Sequence, residues 1–176
     1  MAISDAGGAK TLVPGEQPPD APGYLLHLLA AISRYRDIAL DHALQELGLS
    51  AARYRALNAI AAFKSCLMGE LSDLIGVDRT TMTRTVDQLV EAGYVERFRT
   101  PADRRQVLLQ ATDLGLRLVE RGAPIVAELN SRVLEGVSDA AQRTMIRAEQ
   151  RMFANLAVNP RTIRRMLAFR GSEADA

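Results

Sequence analysis

Between Met68 and Gln110 the hydrophobic period of the chain switches from helical to strand-like, and this switch restricts the fold more than any other feature. Residues 68–75 place Leu71, Leu74 and Ile75 at helical spacing. Gly76-Val77 makes a tight turn. Asp78 then suits the cap of a second helix, because its carboxylate accepts hydrogen bonds from the first unpaired N–H groups. After Gly93 the pattern predicts two strands, Tyr94 to Arg99 and Gln106 to Ala111, flanking the loop Thr100-Pro101-Ala102-Asp103. A helix, a turn, a second helix and a basic hairpin in that order can push one helix into the DNA major groove and lay a basic loop along the backbone beside it.

The second helix divides cleanly when its residues are placed about 100° apart. Met82, Val86, Leu89 and Val90 share the side expected to face the core. Thr80, Thr81, Arg84 and Gln88 fall opposite, and Arg79 stands at the N-terminal end, where such a helix meets base edges. Arginine pairs bidentately with guanine, glutamine with adenine, and threonine methyls touch thymine. In the hairpin, Arg97, Arg99, Arg104 and Arg105 face only Glu96 and Asp103 as counter-charges. The arginines suit phosphates or the narrow minor groove, and Asp103 suits orienting a neighbouring arginine through a charge-assisted pair. These ten residues are the candidate DNA contacts: Arg79, Thr80, Thr81, Arg84, Gln88, Arg97, Arg99, Asp103, Arg104 and Arg105.

The rest of the chain reads as helix. The first 23 residues are rich in glycine and proline and predict a flexible arm. From Tyr24, the residues Leu25, Leu28, Leu29, Ile32, Tyr35 and Ala39 line one face of a helix that stops near Gly48. Ser50 caps a helix whose inner side carries Tyr54, Leu57, Ile60 and Ala61. Thr112 caps a long helix to about Leu134, in which Gly122 and Pro124 predict a kink. Ser138 caps another, with Ala141, Met145, Ala148, Met152 and Leu156 on one stripe. Asn159-Pro160 opens a short basic helix to about Phe169, carrying Arg161, Arg164 and Arg165. The apolar stripes of the terminal helices exceed what the compact reading head can cover, so a homodimer is expected.

Several function classes are excluded or disfavoured. Length (176 residues) and a 48% apolar composition fit one globular domain. The net charge of +1 does not announce nucleic acid; the local arginine clusters do. No apolar run approaches the ~20 residues that span a bilayer, and no secretion signal is legible, so a cytoplasmic protein is expected. The single cysteine, Cys66, cannot form an internal disulfide and has only Lys64 nearby to activate it, which favours a packed thiol. His27 and His42 lack metal-ligand spacing, so neither metal nor cofactor is expected. No nucleophile elbow, phosphate loop or paired carboxylates point to an enzyme.

The segments Glu70-Leu71-Ser72 to Arg84, Leu89 to Arg97, Pro101-Ala102-Asp103-Arg104-Arg105 and Val107 to Thr112 with Gly115 together resemble the MarR family of transcriptional regulators. The resemblance covers about residues 24–156. The fold it implies is mainly α with a small β wing: a winged helix-turn-helix with a helical dimerisation region. The division that follows is an arm (1–23), a first dimerisation helix (24–48), a DNA-binding region (49–111), and C-terminal dimerisation helices with a basic extension (112–176). The resemblance further implies a dimeric repressor on a palindromic operator in double-stranded DNA, released by a small aromatic or phenolic effector. Tyr24, His27, Arg34, Tyr35 and Arg53 are the candidate effector-binding residues. Two other readings stand beside it: a winged helix used for protein contact without DNA specificity, and a redox-sensing regulator using Cys66. The chain departs from the family pattern at Leu67, where a polar helix cap is usual, at the Gly122-Ala123-Pro124 break, and in the basic helix after Pro160.

Overall fold

The computed structural model describes residues 22–99, 106–156 and 164. They form α1 (Pro22–Ala43), a 3-10 turn (Gln45–Leu47), α2 (Ala51–Ala62), β1 (Cys66–Leu67), α3 (Met68–Ile75), α4 (Arg79–Glu91), β2 (Val95–Arg99), β3 (Val107–Ala111), α5 (Asp113–Val133) and α6 (Asp139–Leu156). Two compact units result, one ending at Arg34 and the other beginning at Tyr35.

In the first unit the described residues are the opening turns of α1. Pro22 and Gly23, expected within the arm, are instead its first helical residues. A proline there has no N–H to waste and a φ already suited to a helix. Of the expected apolar stripe, Leu25, Leu28 and Ile32 are exposed.

The second unit holds one core, running from Leu40 of α1 and Leu44 just beyond it through α2 and α4 to Leu129 of α5. Its centre is α2, where Ala56, Leu57 and Ile60 are fully buried. The N-terminus of α2 is tied twice: Ser50 Oγ accepts from the Arg53 N–H at 3.3 Å, and Asp41 Oδ1 of α1 accepts from the Ala51 N–H at 2.6 Å. Two arginine contacts fix α1 to its neighbours. Arg36 donates twice to Asn130 Oδ1 of α5, at 2.8 and 3.0 Å, and Arg55 of α2 pairs with Asp37 at 2.8 Å.

The sheet has three antiparallel strands, in the order β1-β3-β2. The periodicity predicts only the β2–β3 hairpin; β1 is two residues long, below the length at which alternation is legible. This strand also ties the start of α3, where Leu67 stands in place of a polar cap. Leu67 is paired to Leu108 of β3, and its N–H donates to the Glu70 carboxylate at 3.1 Å.

Helix α5 is continuous through Gly122 and Pro124 rather than interrupted. The proline removes one backbone bond, at a local cost of ~3 kcal/mol, yet Leu118, Val119, Val126 and Leu129 bury along the same face. Burial of each such side chain contributes about 1.5–3 kcal/mol, so packing outweighs the local penalty. Gly122 has a packing role. A Cβ there would lie 2.3 Å from Cε2 of the buried Tyr54 ring. Helix α6 buries none of its residues, and its stripe members Met145 and Leu156 are exposed. Of the expected basic helix after Pro160, only Arg164 is described, and it is helical and exposed.

Gly122→Ala therefore forces the Tyr54 ring against its surroundings. The expected loss is about 1–3 kcal/mol, as for other overpacked cores. Urea unfolding of the two proteins checks it, and an unchanged midpoint would contradict the close approach.

Candidate nucleic-acid interface

Helix α4 is set at a fixed rotation by its buried side. Met82, Val86 and Leu89 are 2%, 0% and 1% exposed, and any turn of the helix about its axis would pull them from the core. Gly76 takes the left-handed conformation (φ 73°) that ends α3 and redirects the chain into α4. Asp78 then caps α4: its Oδ1 accepts from the Thr81 N–H at 2.9 Å and its Oδ2 from the Thr81 hydroxyl at 2.5 Å. The hydroxyl bond, followed by the Thr81 and Thr80 backbone bonds, holds the Asp78 carboxyl below its ordinary value.

With the inner side fixed, Arg79, Thr80, Thr81, Arg84 and Gln88 are all exposed, as the periodicity predicts. They are not equivalent. The Thr81 hydroxyl proton is committed to Asp78. The Arg79 guanidinium lies back over α3, where a Cβ added at Gly69 would meet its Nη2 at 3.1 Å. It lines a cleft of about 460 Å³ with Met68, Gly69, Glu70, Asp73 and Gln106. Thr83 and Thr85 turn their hydroxyls back to the carbonyls of Arg79 and Thr81, at 2.8 and 3.0 Å. Arg84 and Gln88 therefore form the outward centre of the helix.

Strand β2 carries Arg97 and Arg99, both exposed. Arg97 Nη2 stands 2.7 Å from Asp87 Oδ1 on α4. Asp87 is absent from the residues singled out by sequence. Its signal was the alternation of β2, which puts Arg97 on the same side as the buried Val95. Thr112 was recognised as a helix cap, and its hydroxyl accepts from the Gly115 N–H at 3.1 Å. It also closes the base of the hairpin, its hydroxyl donating to Gly93 O at 2.7 Å and its N–H to Tyr94 O at 3.0 Å. Asp103, Arg104 and Arg105 lie outside the described residues.

The effector candidates occupy different places. Tyr24, His27 and Arg34 are exposed on the first unit's part of α1, and Tyr35 is 70% exposed. Arg53 sits on the first turn of α2, its Nε 3.4 Å from Ser50 Oγ. None of the five lines the cleft beside Arg79. Cys66 is buried at 2% exposure in β1. Among the described residues no three His, Cys, Asp or Glu side chains are grouped to hold a metal, and no helix is long and apolar enough to cross a membrane.

The family model described as "MarR family" matches residues 47–106. The multiple antibiotic resistance protein MarR of Escherichia coli (strain K12) is 31% identical over 106 residues, which cover 60% of this chain and 72% of that protein. The HTH-type transcriptional repressor IacR of Pseudomonas putida is 26% identical over 117 residues, 66% of this chain and 70% of that one. Among solved structures, a mutant MarR from E. coli complexed with operator DNA superposes with a TM-score of 0.67 at 26% identity, covering 73% of this chain and 92% of that one.

The Asp78 cap has a pH signature. The folded state holds this carboxyl below its ordinary value of about 3.9, so the folded protein binds the proton less readily than the unfolded chain. Its contribution is complete above the ordinary value and disappears as pH falls through the folded one. Urea unfolding of wild type and Asp78→Ala across pH 7 to 2 is expected to show a stability gap at neutral pH that closes in acid. A gap that stays constant would mean the carboxylate charge is irrelevant to the cap.

Proposed function

The chain belongs to the MarR family of DNA-binding transcriptional regulators, and from that membership we propose that it is a repressor that binds a palindromic operator as a homodimer and is released by a small aromatic or phenolic effector. The observation that carries the DNA-reading part is the two-sidedness of α4: Met82, Val86 and Leu89 are buried, while Arg84 and Gln88 stand exposed opposite them. In this reading Arg84 and Gln88, with Thr80 and the methyl of Thr81, read base edges from the major groove. Arg79 reaches the groove from the N-terminal end of the helix by leaving its rest over α3. Arg99, Arg104 and Arg105 grip phosphates or the minor groove, with Asp103 orienting one of them. The arginines of α4 and the wing weigh against a protein-contact module without DNA specificity.

The exposed apolar residues Leu25, Leu28 and Ile32 on α1, and Met145, Ile146 and Leu156 on α6, support a second copy as the cover for these helices. In such a dimer the two recognition helices stand roughly 34 Å apart, one duplex turn. Effector release requires a ligand that prefers the form whose helices are misplaced for the groove. Tyr24, His27, Arg34, Tyr35 and Arg53 supply the cationic and aromatic groups for an aromatic acid. Redox control through Cys66 has less support, because a buried thiol is shielded from oxidants.

Three outcomes are expected. Sedimentation at micromolar concentration shows a dimer; a stable monomer overturns the dimeric reading. Arg84→Ala weakens binding to the preferred duplex by about 1–3 kcal/mol and relaxes base preference. Arg105→Ala weakens selected and scrambled duplexes alike and lowers the salt slope by about one. Equal loss of discrimination in both variants contradicts this division of labour. An effector coupled by about 1–3 kcal/mol lowers DNA affinity roughly 5- to 150-fold, and Cys66→Ser leaves that response intact. Release by peroxide that Cys66→Ser abolishes, with no response to small molecules, would replace this mechanism by the redox one.

A further inference from the structure

We infer that Arg97 is a positioning residue, which sets the angle of the wing against the recognition helix through Asp87 instead of contacting DNA. The inference rests on the DNA-binding reading and reassigns one residue within it.

The geometry begins with strand alternation. Val95, Arg97 and Arg99 project from the same face of β2. Val95 is buried at 1% exposure, so this is the face turned to the core and to α4. Two residues further, about 6.6–6.8 Å along the strand, Arg97 passes the edge of the core and meets Asp87 on α4 at 2.7 Å. Asp87 lies beside Gln88 and three residues beyond Arg84, close to the face that reads DNA. A bare carboxylate there would repel phosphate. Arg97 neutralises it, and in doing so spends the charge that a phosphate contact would need. The two side chains retain 33% and 54% of their exposure. A pair so exposed adds little to folding stability. Its effect falls on the direction of the hairpin beyond it. Arg99 lies two residues further along β2, so a change of angle at Arg97 is carried to it.

The test uses the full chain, a duplex selected by the wild-type protein from a random pool, and a scrambled duplex of equal length. Arg97→Ala and Asp87→Asn are each expected to weaken binding to the selected duplex, on the order of tenfold, and the double variant no further than either single one. Arg97→Ala is expected to leave the salt slope unchanged, because no phosphate contact is lost. Melting curves should shift little in all three. The sign of Asp87→Asn decides the matter. Deleting a carboxylate near DNA and freeing an arginine would tighten binding if Arg97 touched phosphate. Tighter binding by Asp87→Asn, a salt slope lowered by about 0.9 in Arg97→Ala, additive losses, or no change in either single variant overturns the inference. If the wild-type protein selects no duplex, the DNA reading itself fails.

Discussion

The burial of α2 is the constraint on which the rest of the second unit depends. Helices α3, α4 and α5 and strand β3 all pack against it. Its small residues Ala56 and Ala59 let neighbours approach, and Leu57 and Ile60 fill the space between them. Because α4 leans on α2, the rotation that exposes Arg84 and Gln88 is decided at the back of the helix. No polar contact on the front could enforce it: a surface ion pair contributes about 0–1 kcal/mol, against about 1.5–3 for each buried apolar side chain. The exposed polar face of α4 is therefore a by-product of core packing.

Local hydrogen bonds then fix what packing leaves loose. Asp41 reaches from α1 to the first N–H of α2, and Thr112 ties the end of the hairpin to the start of α5. Each side chain joins two parts of the chain that are not adjacent in sequence. The same economy holds in α4, where Asp78 both caps the helix and occupies a threonine hydroxyl that faces outward.

Much of this was legible in the sequence. The caps at Ser50, Asp78, Thr112 and Ser138 follow from side-chain chemistry within three residues, and each is present. The bounds of α3 and the inner face of α4 follow from short-range periodicity. What periodicity misses is long-range. Strand β1 is too short to alternate, and it exists because β3 offers it a partner. Gly122 reads locally as a helix breaker; only the Tyr54 ring, 68 positions earlier in the sequence, reveals why no side chain fits there. Within the candidate site, residue type identified Arg97 as cationic, but its pairing with Asp87 depends on how β2 is laid against α4. An apolar stripe identifies a face to be covered without naming the cover, as α1 and α6 illustrate.

Among the described residues, the strand order β1-β3-β2 leaves β2 at the rim of the sheet, with one row of backbone N–H and C=O groups lacking a neighbouring strand. Such a rim invites edge-to-edge pairing between molecules, the first step toward insoluble assemblies. Here the rim carries Glu96, Arg97 and Arg99 around a single exposed aromatic, Phe98. Charges of both signs at this spacing oppose in-register stacking of identical strands, since like charges would lie against like. The charged residues of β2 thus keep the free protein from recruiting copies of itself through its sheet. Variants that strip charge from β2 would remove that protection and change colloidal behaviour.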